Sequence, residues 1–403
     1  IITTPGQTIS GTGTLSRLDI STNTTNNGSI TVTTALTSTV PSVLTQAASA
    51  TLTYNATTAI APTLDATATG NTVVYGGTTQ TVKSTTYQNL TLSGSAVKTL
   101  GGAITVNGNL AINSCELYTS TFQITGNASG TFTINGAGIL TLGNNASATD
   151  VLFPTNFITA NISFSSTSIV YYYGNSAQTI SSVPAYGNLR IQNYSGSKSA
   201  DGNINVLTAV IVTSPTVFDM SSHTLTVATN LTGTGGLSFT TGTFNISGNF
   251  GNTGSFTCGT CSVNYTGAVQ NVKSTTYNHL TITGSGQKTL LGAITVNGNL
   301  AISAGSLYTS TYQITGNASG TLSMAAATIF YIGNNASATL VLFPTGYITS
   351  NISLSSTSTV IYYGNAAQTI SSAPSYGNLT IQTFSGSKSA DGNISVSGNL
   401  TVT

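Results

Sequence analysis

Apolar and hydroxyl-bearing residues alternate along most of this chain in short runs. GSITVTT (28–34) and ATLTYNAT (50–57) set a Thr or Ser between successive apolar residues. The same period of two returns in NLTL (89–92), AITV (103–106), NLAI (109–112), FQIT (122–125), TFTI (131–134) and ILTL (139–142). A period of two sends alternate side chains to opposite faces of an extended chain, so each run predicts a short strand buried on one face. NG, GN and GNN steps separate the runs, and Gly and Asn accept the positive φ that tight corners require. VLFP, at 151–154 and again at 341–344, reads as a strand stopped by proline.

The pattern is written twice. VKSTTYQNLTLSGSAVKTLGGAITVNGNLAI (82–112) returns as VKSTTYNHLTITGSGQKTLLGAITVNGNLAI (272–302), and the offset of 190 positions holds without a gap from Val82–Val206 to Val272–Val396, with roughly seven positions in ten identical. A Tyr-x4-Gln step followed by an aromatic residue and then Leu gives a finer period of about 95 residues. It occurs at Tyr75/Gln80/Tyr87/Leu90, Tyr173/Gln178/Tyr186/Leu189, Tyr265/Gln270/Tyr277/Leu280 and Tyr363/Gln368/Tyr376/Leu379, with an added proline (Pro184, Pro374) in the second and fourth copies. Matched swaps between the long copies (Leu92/Ile282, Phe122/Tyr312, Phe164/Leu354, Tyr194/Phe384) keep a large group in place, as a packed interior tolerates.

Composition narrows the fold to all-β. Thr, Ser, Val, Ile, Tyr and Phe dominate, Trp is missing, Glu116 is the one glutamate, and charged residues make up 4% of 403. The 39% of apolar residues, in regular alternation, argue against a disordered Ser/Thr linker. Four segments are expected: an irregular β stretch at 1–72, a first long repeat at 73–207, a β bridge at 208–262 and a second long repeat at 263–403. Strands of four or five residues, dense Gly/Asn corners and the lack of a linker favour a β-solenoid (parallel β-helix) over the alternative of tandem immunoglobulin-like β-sandwiches.

From about Val73 onward, the run V-x-Y-x-G-x-x-Q-x-V followed by Y-x-N-L-T-x-x-G-S-x-x-K-T-L-x-G-A-I-T-V-N-G-N-L-x-I resembles repeats in large secreted cell-surface proteins of Bacteroidota, many of them exported by the type IX system and adhesin-like. The resemblance implies bacterial origin and an extracellular or cell-surface location. This chain departs from such proteins in showing neither a leader nor a C-terminal sorting domain. It opens IITTPGQT without an initiator Met, and is therefore expected to be a processed or partial product.

Charge and chemistry exclude more than they suggest. A net charge of +1, from eight scattered basic residues, gives no handle for nucleic acid or anionic lipid, and no apolar run reaches the roughly 20 residues of a membrane-spanning helix. The acids are Asp19, Asp65, Glu116, Asp150, Asp201, Asp219 and Asp391. Asp150 becomes Leu340 and Glu116 becomes Ser306 in the second copy, so neither belongs to the repeated frame. Lys198/Asp201 and Lys388/Asp391 recur as K-S-A-D-G and read as polar turns with a local surface ion pair. His223 and His279 stand alone and read as surface residues. No catalytic, cofactor or metal site is expected, and the chain is read as a non-enzyme.

CGTC makes Cys258 and Cys261 a candidate disulfide, with Cys115 left over. Asn55, Asn127, Asn145, Asn161, Asn264, Asn317, Asn335 and Asn351 head N-x-S/T sequons and are candidate glycosylation positions. IITT at the start and SVSGNLTVT at the end are β-prone and carry no polar cap. The expectation is therefore a structural subunit that polymerises head to tail into an extracellular filament, each copy adding on the order of 100 Å at ~4.8 Å per coil. The alternatives are a stalk fragment of a large repeat adhesin and, behind it, a carbohydrate-active β-helix protein. The expected partners are other copies of the chain and cell-surface or environmental polysaccharide.

Overall fold

A computed structural model describes residues 6–192, 197–382 and 384–403. The IITT opening and Tyr194 lie outside the described residues. Strands and corners account for nearly all of the chain, and about 2% is helical, in two single turns at Thr159–Asn161 and Thr349–Asn351. The strands stack in parallel as a β-solenoid of about 20 turns. Parallel stacking rules out the sandwich alternative, whose sheets are antiparallel. Two compact units share the turns, one formed by Ile1–Asp201 with Asn205–Phe218 and the other by Gly202–Ile204 with Asp219–Thr403.

One coil of the first unit shows how the alternation works. The strand Asn89–Leu92 pairs with Thr72–Tyr75 on one side and Leu110–Asn113 on the other, so Leu90 lies in register with Val73 and Leu110. The chain turns a corner into Val97–Leu100, which lies between Gln80–Val82 and Glu116–Tyr118, and turns again into Ile104–Val106, between Thr86–Tyr87 and Ile124–Thr125. Leu90, Leu92, Leu100, Ile104 and Val106 point into the coil and are buried, while Thr91, Thr99 and Thr105 between them are half-buried. Each such inward aliphatic contributes about 1.5–3 kcal/mol relative to leaving it in water. Residues 6–72 follow the same rules, with Val32, Leu52 and Tyr54 fully buried.

The second unit repeats the arrangement. His279–Ile282 lies between Ser262–Tyr265 and Leu300–Ile302, and Gln287–Leu290 between Gln270–Val272 and Ser306–Tyr308. Corner asparagines tie successive coils together: Asn89 donates its amide to the Asn71 carbonyl (2.8 Å) and accepts the Asn109 N–H (2.9 Å). His279 takes over that accepting role, receiving the Asn299 N–H at Nδ1 (3.1 Å), so the histidine that replaces Asn89 serves the same corner.

In each unit one coil is longer than its neighbours. Phe132 pairs with Ile162 and Ile139 with Ile169 in the first unit, and Leu322 pairs with Ile352 and Ile329 with Thr359 in the second. The extra chain, 143–161 and 333–351, leaves the stack as a loop. VLFP belongs to this loop and is not a strand. Its alternation is that of a strand, with Val151 and Phe153 buried and Leu152 exposed, but its backbone bonds to glutamine side chains of the neighbouring coils (Leu152 N–H to Gln123, Val151 carbonyl from Gln178) instead of to a strand, and the buried side chains plug the opening. Backbone pairing with the stack resumes at an isolated bridge from Thr155 to Thr125.

Candidate functional site

The four Tyr/Gln copies build four inner corners. In the first, Tyr75 and Tyr87 are fully buried with their hydroxyls 3.2 Å apart, Tyr75 accepts the Lys83 N–H (2.9 Å), and Tyr87 donates to the Lys83 carbonyl (2.6 Å). Gln80 accepts the Gly77 N–H and donates to the carbonyls of Tyr54 and Ala56. In the second and fourth copies the buried tyrosines are Tyr172 and Tyr362, paired with Tyr186 and Tyr376, and not Tyr173 and Tyr363 as the Tyr-x4-Gln spacing suggests. Those corners hold one more residue before the glutamine, which moves the inward tyrosine back by one and leaves Tyr173 and Tyr363 outside the core.

Beside each glutamine in the ladder sits a lysine. Lys98, Lys198, Lys288 and Lys388 pair in register with Gln80, Gln178, Gln270 and Gln368, and the first three are fully buried. Lys98 donates to the carbonyls of Gly77 (2.7 Å), Thr78 (2.6 Å) and Ser95 (3.1 Å). Lys198 donates to those of Gly174 (2.9 Å) and Ser176 (2.7 Å) and to Gln178 Oε1 (2.6 Å). This overturns the reading of K-S-A-D-G as a surface ion pair. Lys198 spends its three N–H groups on its corner, while Asp201 accepts the Ser182 N–H (2.6 Å), as Asp391 does from Ser372. Burial pulls the Lys198 ammonium down to about 8, with Asp150 opposing the shift. The one ion pair among the described residues is Arg17–Asp19.

Two clefts open beside the long loops, with matched linings. In the first unit a cleft of about 380 Å³ is lined by Phe153, Pro154, Phe157, Thr179, Ser181 and Asp201. In the second, one of about 390 Å³ is lined by Phe343, Pro344, Tyr347, Thr369, Ser371 and Asp391. Their floors are packed: Phe132 lies against Phe153, Phe157 and Phe164 at ring distances of 5.8, 5.4 and 5.1 Å. A Cβ on Gly126 would stand 2.3 Å from the Phe157 ring, and one on Gly316 the same distance from Tyr347, so glycine is required for the loop rings to seat. Tyr347 is buried and its hydroxyl has no hydrogen-bond partner.

A third cleft, of about 290 Å³, lies on the outer face of the second unit and is lined by Gln287, Tyr308, Tyr331, Asn335 and Tyr363. All five are half-buried. The Tyr308–Tyr331, Tyr331–Tyr363 and Tyr308–Tyr363 rings lie edge to face at 6.0, 5.7 and 6.1 Å, and Asn335 donates its amide to the Tyr363 hydroxyl (2.8 Å). Burial, with the neighbouring Tyr363, pushes the Tyr308 hydroxyl above the usual tyrosine range. The tyrosine spacing includes Tyr363 and the sequons include Asn335, but neither signal points to a cleft. Its signal is the aromatic residues at outward positions, where the alternation elsewhere puts Thr.

Cys258 and Cys261 form a disulfide, and Cys115 is free and buried. Of the sequon asparagines, Asn127 and Asn317 are exposed on the turns beside the long loops. Asn145, Asn161, Asn264, Asn335 and Asn351 are half-buried with the amide nitrogen already donating, to Tyr173, Ala128, Asn245, Tyr363 and Ala318 respectively, and Asn55 is half-buried with its side-chain oxygen enclosed. Among the matched aromatic swaps, Leu92 and Ile282 are fully buried, whereas Phe384 is 53% exposed and packs outside the coil against Tyr363 at 5.6 Å. Among the described residues no group of three or more His, Cys, Asp and Glu is placed to hold a metal, and no helix is long and apolar enough to cross a membrane. Comparison with family models, curated proteins and solved structures finds no match.

Proposed function

We propose that this chain is a structural rod of an extracellular filament, whose task is to supply length and stiffness at a cell surface. The observation that carries this reading is the recurrence of the inner corner. At four places a Tyr pair braces a coil across its interior, while a Gln and a Lys donate to main-chain carbonyls of the coil before, so these polar side chains of the repeat are spent on holding the coil and stapling it to its neighbour. Stacked coils extend by adding nearest-neighbour contacts, and stiffness grows with each of them. The disulfide suits an oxidising exterior.

A second reading, the stalk of a larger adhesin, is favoured by the clefts, which a plain spacer does not need. Under either reading the outward partner is a cell-surface or environmental polysaccharide. Electron micrographs of the purified chain at neutral pH, over a rising concentration series, separate the two. Fibres with a regular axial repeat support self-assembly, and single particles at every concentration reject it in favour of the stalk.

A further inference from the structure

The outer tyrosine cleft of the second unit has the chemistry of a ligand site. Tyr308 and Tyr331 stand in register on adjacent strands, with Ile361 next in the same row, on a face where Thr289 and Thr380 continue the row to either side. Threonine suffices for the coil in that row, so the Tyr308 and Tyr331 rings there contribute nothing that the solenoid requires, and Tyr363, two residues beyond Ile361, closes against both. The first copy keeps Tyr118, Asn145 and Tyr173 at the places of Tyr308, Asn335 and Tyr363, with Asn145 likewise donating to Tyr173 (2.7 Å), but it has Thr141 where the second has Tyr331, Val97 where it has Gln287 and Glu116 where it has Ser306, and Thr141 donates to Glu116 (2.7 Å). The cleft is therefore completed in the second copy by Tyr331 and Gln287, two substitutions that the fold does not demand.

What lines the cleft selects the ligand. The rings meet at interplanar angles of 71–86°, so the cleft presents both ring faces and ring edges. Ring faces carry partial negative charge and attract C–H groups that carry partial positive charge. Gln287 and Asn335 add amide donors and acceptors at the rim, and Asn335 fixes the Tyr363 ring by its hydrogen bond. No acidic or basic side chain lines the cleft, so a cationic ligand would find ring faces without a counter-ion, and an anionic one no cation. A neutral pyranose matches both parts, with an apolar C–H face for the rings and hydroxyls for the amides. The volume sits at the small end of ligand clefts, which begin at roughly 300 Å³.

We propose that Tyr308, Tyr331 and Tyr363, with Gln287 and Asn335, form a binding site for a neutral hexose or pentose residue of a polysaccharide. This deepens the polysaccharide partner proposed for the rod, and its test is read apart from fibre formation: fibres without binding would overturn the site alone, binding without fibres the filament alone.

The test is affinity electrophoresis of the full chain in native gels cast with soluble glucans, mannans and xylans, and in parallel with anionic alginate and pectate. Tyr331→Thr is the variant of choice, because Thr141 occupies the matched position in a copy with the same fold, and its melting temperature is checked against the parent. At least one neutral polymer is expected to retard the parent chain, with apparent affinity about tenfold weaker in Y331T. Because the chain has no Trp, the same polymer is expected to change its tyrosine fluorescence. The site is overturned if no neutral polymer retards the parent, if Y331T is retarded equally, or if only the anionic polymers bind.

Discussion

Phe157 and Tyr347 occupy the same loop position in the two copies and differ by one oxygen. That oxygen is enclosed and unpartnered in Tyr347, and burial pushes the hydroxyl well above the usual tyrosine range. A buried hydroxyl without a partner loses its hydration and gains nothing in return, at about 1–3 kcal/mol. Tyr347→Phe is accordingly expected to raise stability by about 1 kcal/mol, and Phe157→Tyr to lower it by a similar amount, both read from urea unfolding curves. No rise in the midpoint for Y347F would mean that the hydroxyl is satisfied in solution. The corner lysines carry the opposite lesson. Lys288 donates to the carbonyls of Gly267 and Ala268 (2.6 and 2.9 Å), and Lys288→Met leaves both without a donor, which is expected to cost about 1–3 kcal/mol.

At the scale of the coil, the tyrosine pairs set the alkaline limit of the fold. Burial raises Tyr75, Tyr265 and Tyr362 from 10.0 to about 12, and their partners Tyr87, Tyr277 and Tyr376 shift further in the same direction. The unfolded chain gives up these protons near pH 10 while the folded chain keeps them, so the stability they contribute is whole below pH 10 and is lost as pH climbs through about 12. Lys198 acts below that window: its folded value of about 8, against 10.5 unfolded, makes stability rise between pH 8 and 10.5. Unfolding free energy measured across this range is expected to hold or rise up to about pH 10 and then fall steeply, in step with phenolate absorbance. A steady decline from pH 8 would contradict this assignment.

The strands were legible because a period of two has one structural meaning: Asn89–Leu92 and Ile139–Leu142 lie where the alternation puts them, while of FQIT only Ile124–Thr125 joins a ladder. The corners were less so. A Lys or Gln next to Gly and Thr reads as a solvated turn, and only the neighbouring coil, some twenty residues away in the chain, supplies the carbonyls that draw it inward. VLFP misled for a related reason: alternation records which side chains are buried, and says nothing about whether a backbone neighbour is present to make a strand. The outer tyrosines were hidden by a spacing that fits Tyr173 and Tyr363 while the inward residues are Tyr172 and Tyr362.

At the scale of the whole molecule, the duplication makes a prediction about independence. Lys98 and Lys288 hold matched corners in different units and share no hydrogen-bond partner. Lys98→Met and Lys288→Met are expected to cost equal amounts, and the double variant their sum within about 0.5 kcal/mol, since distant sites without common partners add. A double variant markedly worse than the sum would show that the two corners are energetically coupled. The long period was the most secure element of the sequence reading, because 190 positions of gapless correspondence leave little freedom in how the second copy folds once the first is known.

Every lysine of the chain is turned toward a main-chain carbonyl: Lys83 to Ile60, Lys273 to Asn252, and the other four to their corners. A trypsin-like protease needs such a side chain extended into its own pocket, on a segment free to leave its neighbours. Arg17 and Arg190 are the exposed basic residues that remain, and both lie within strands. Limited digestion of the native protein is expected to leave all six lysyl bonds intact while the urea-unfolded chain is cut at each, so that the same staples that hold the coils would also shield the chain from proteolysis at lysine.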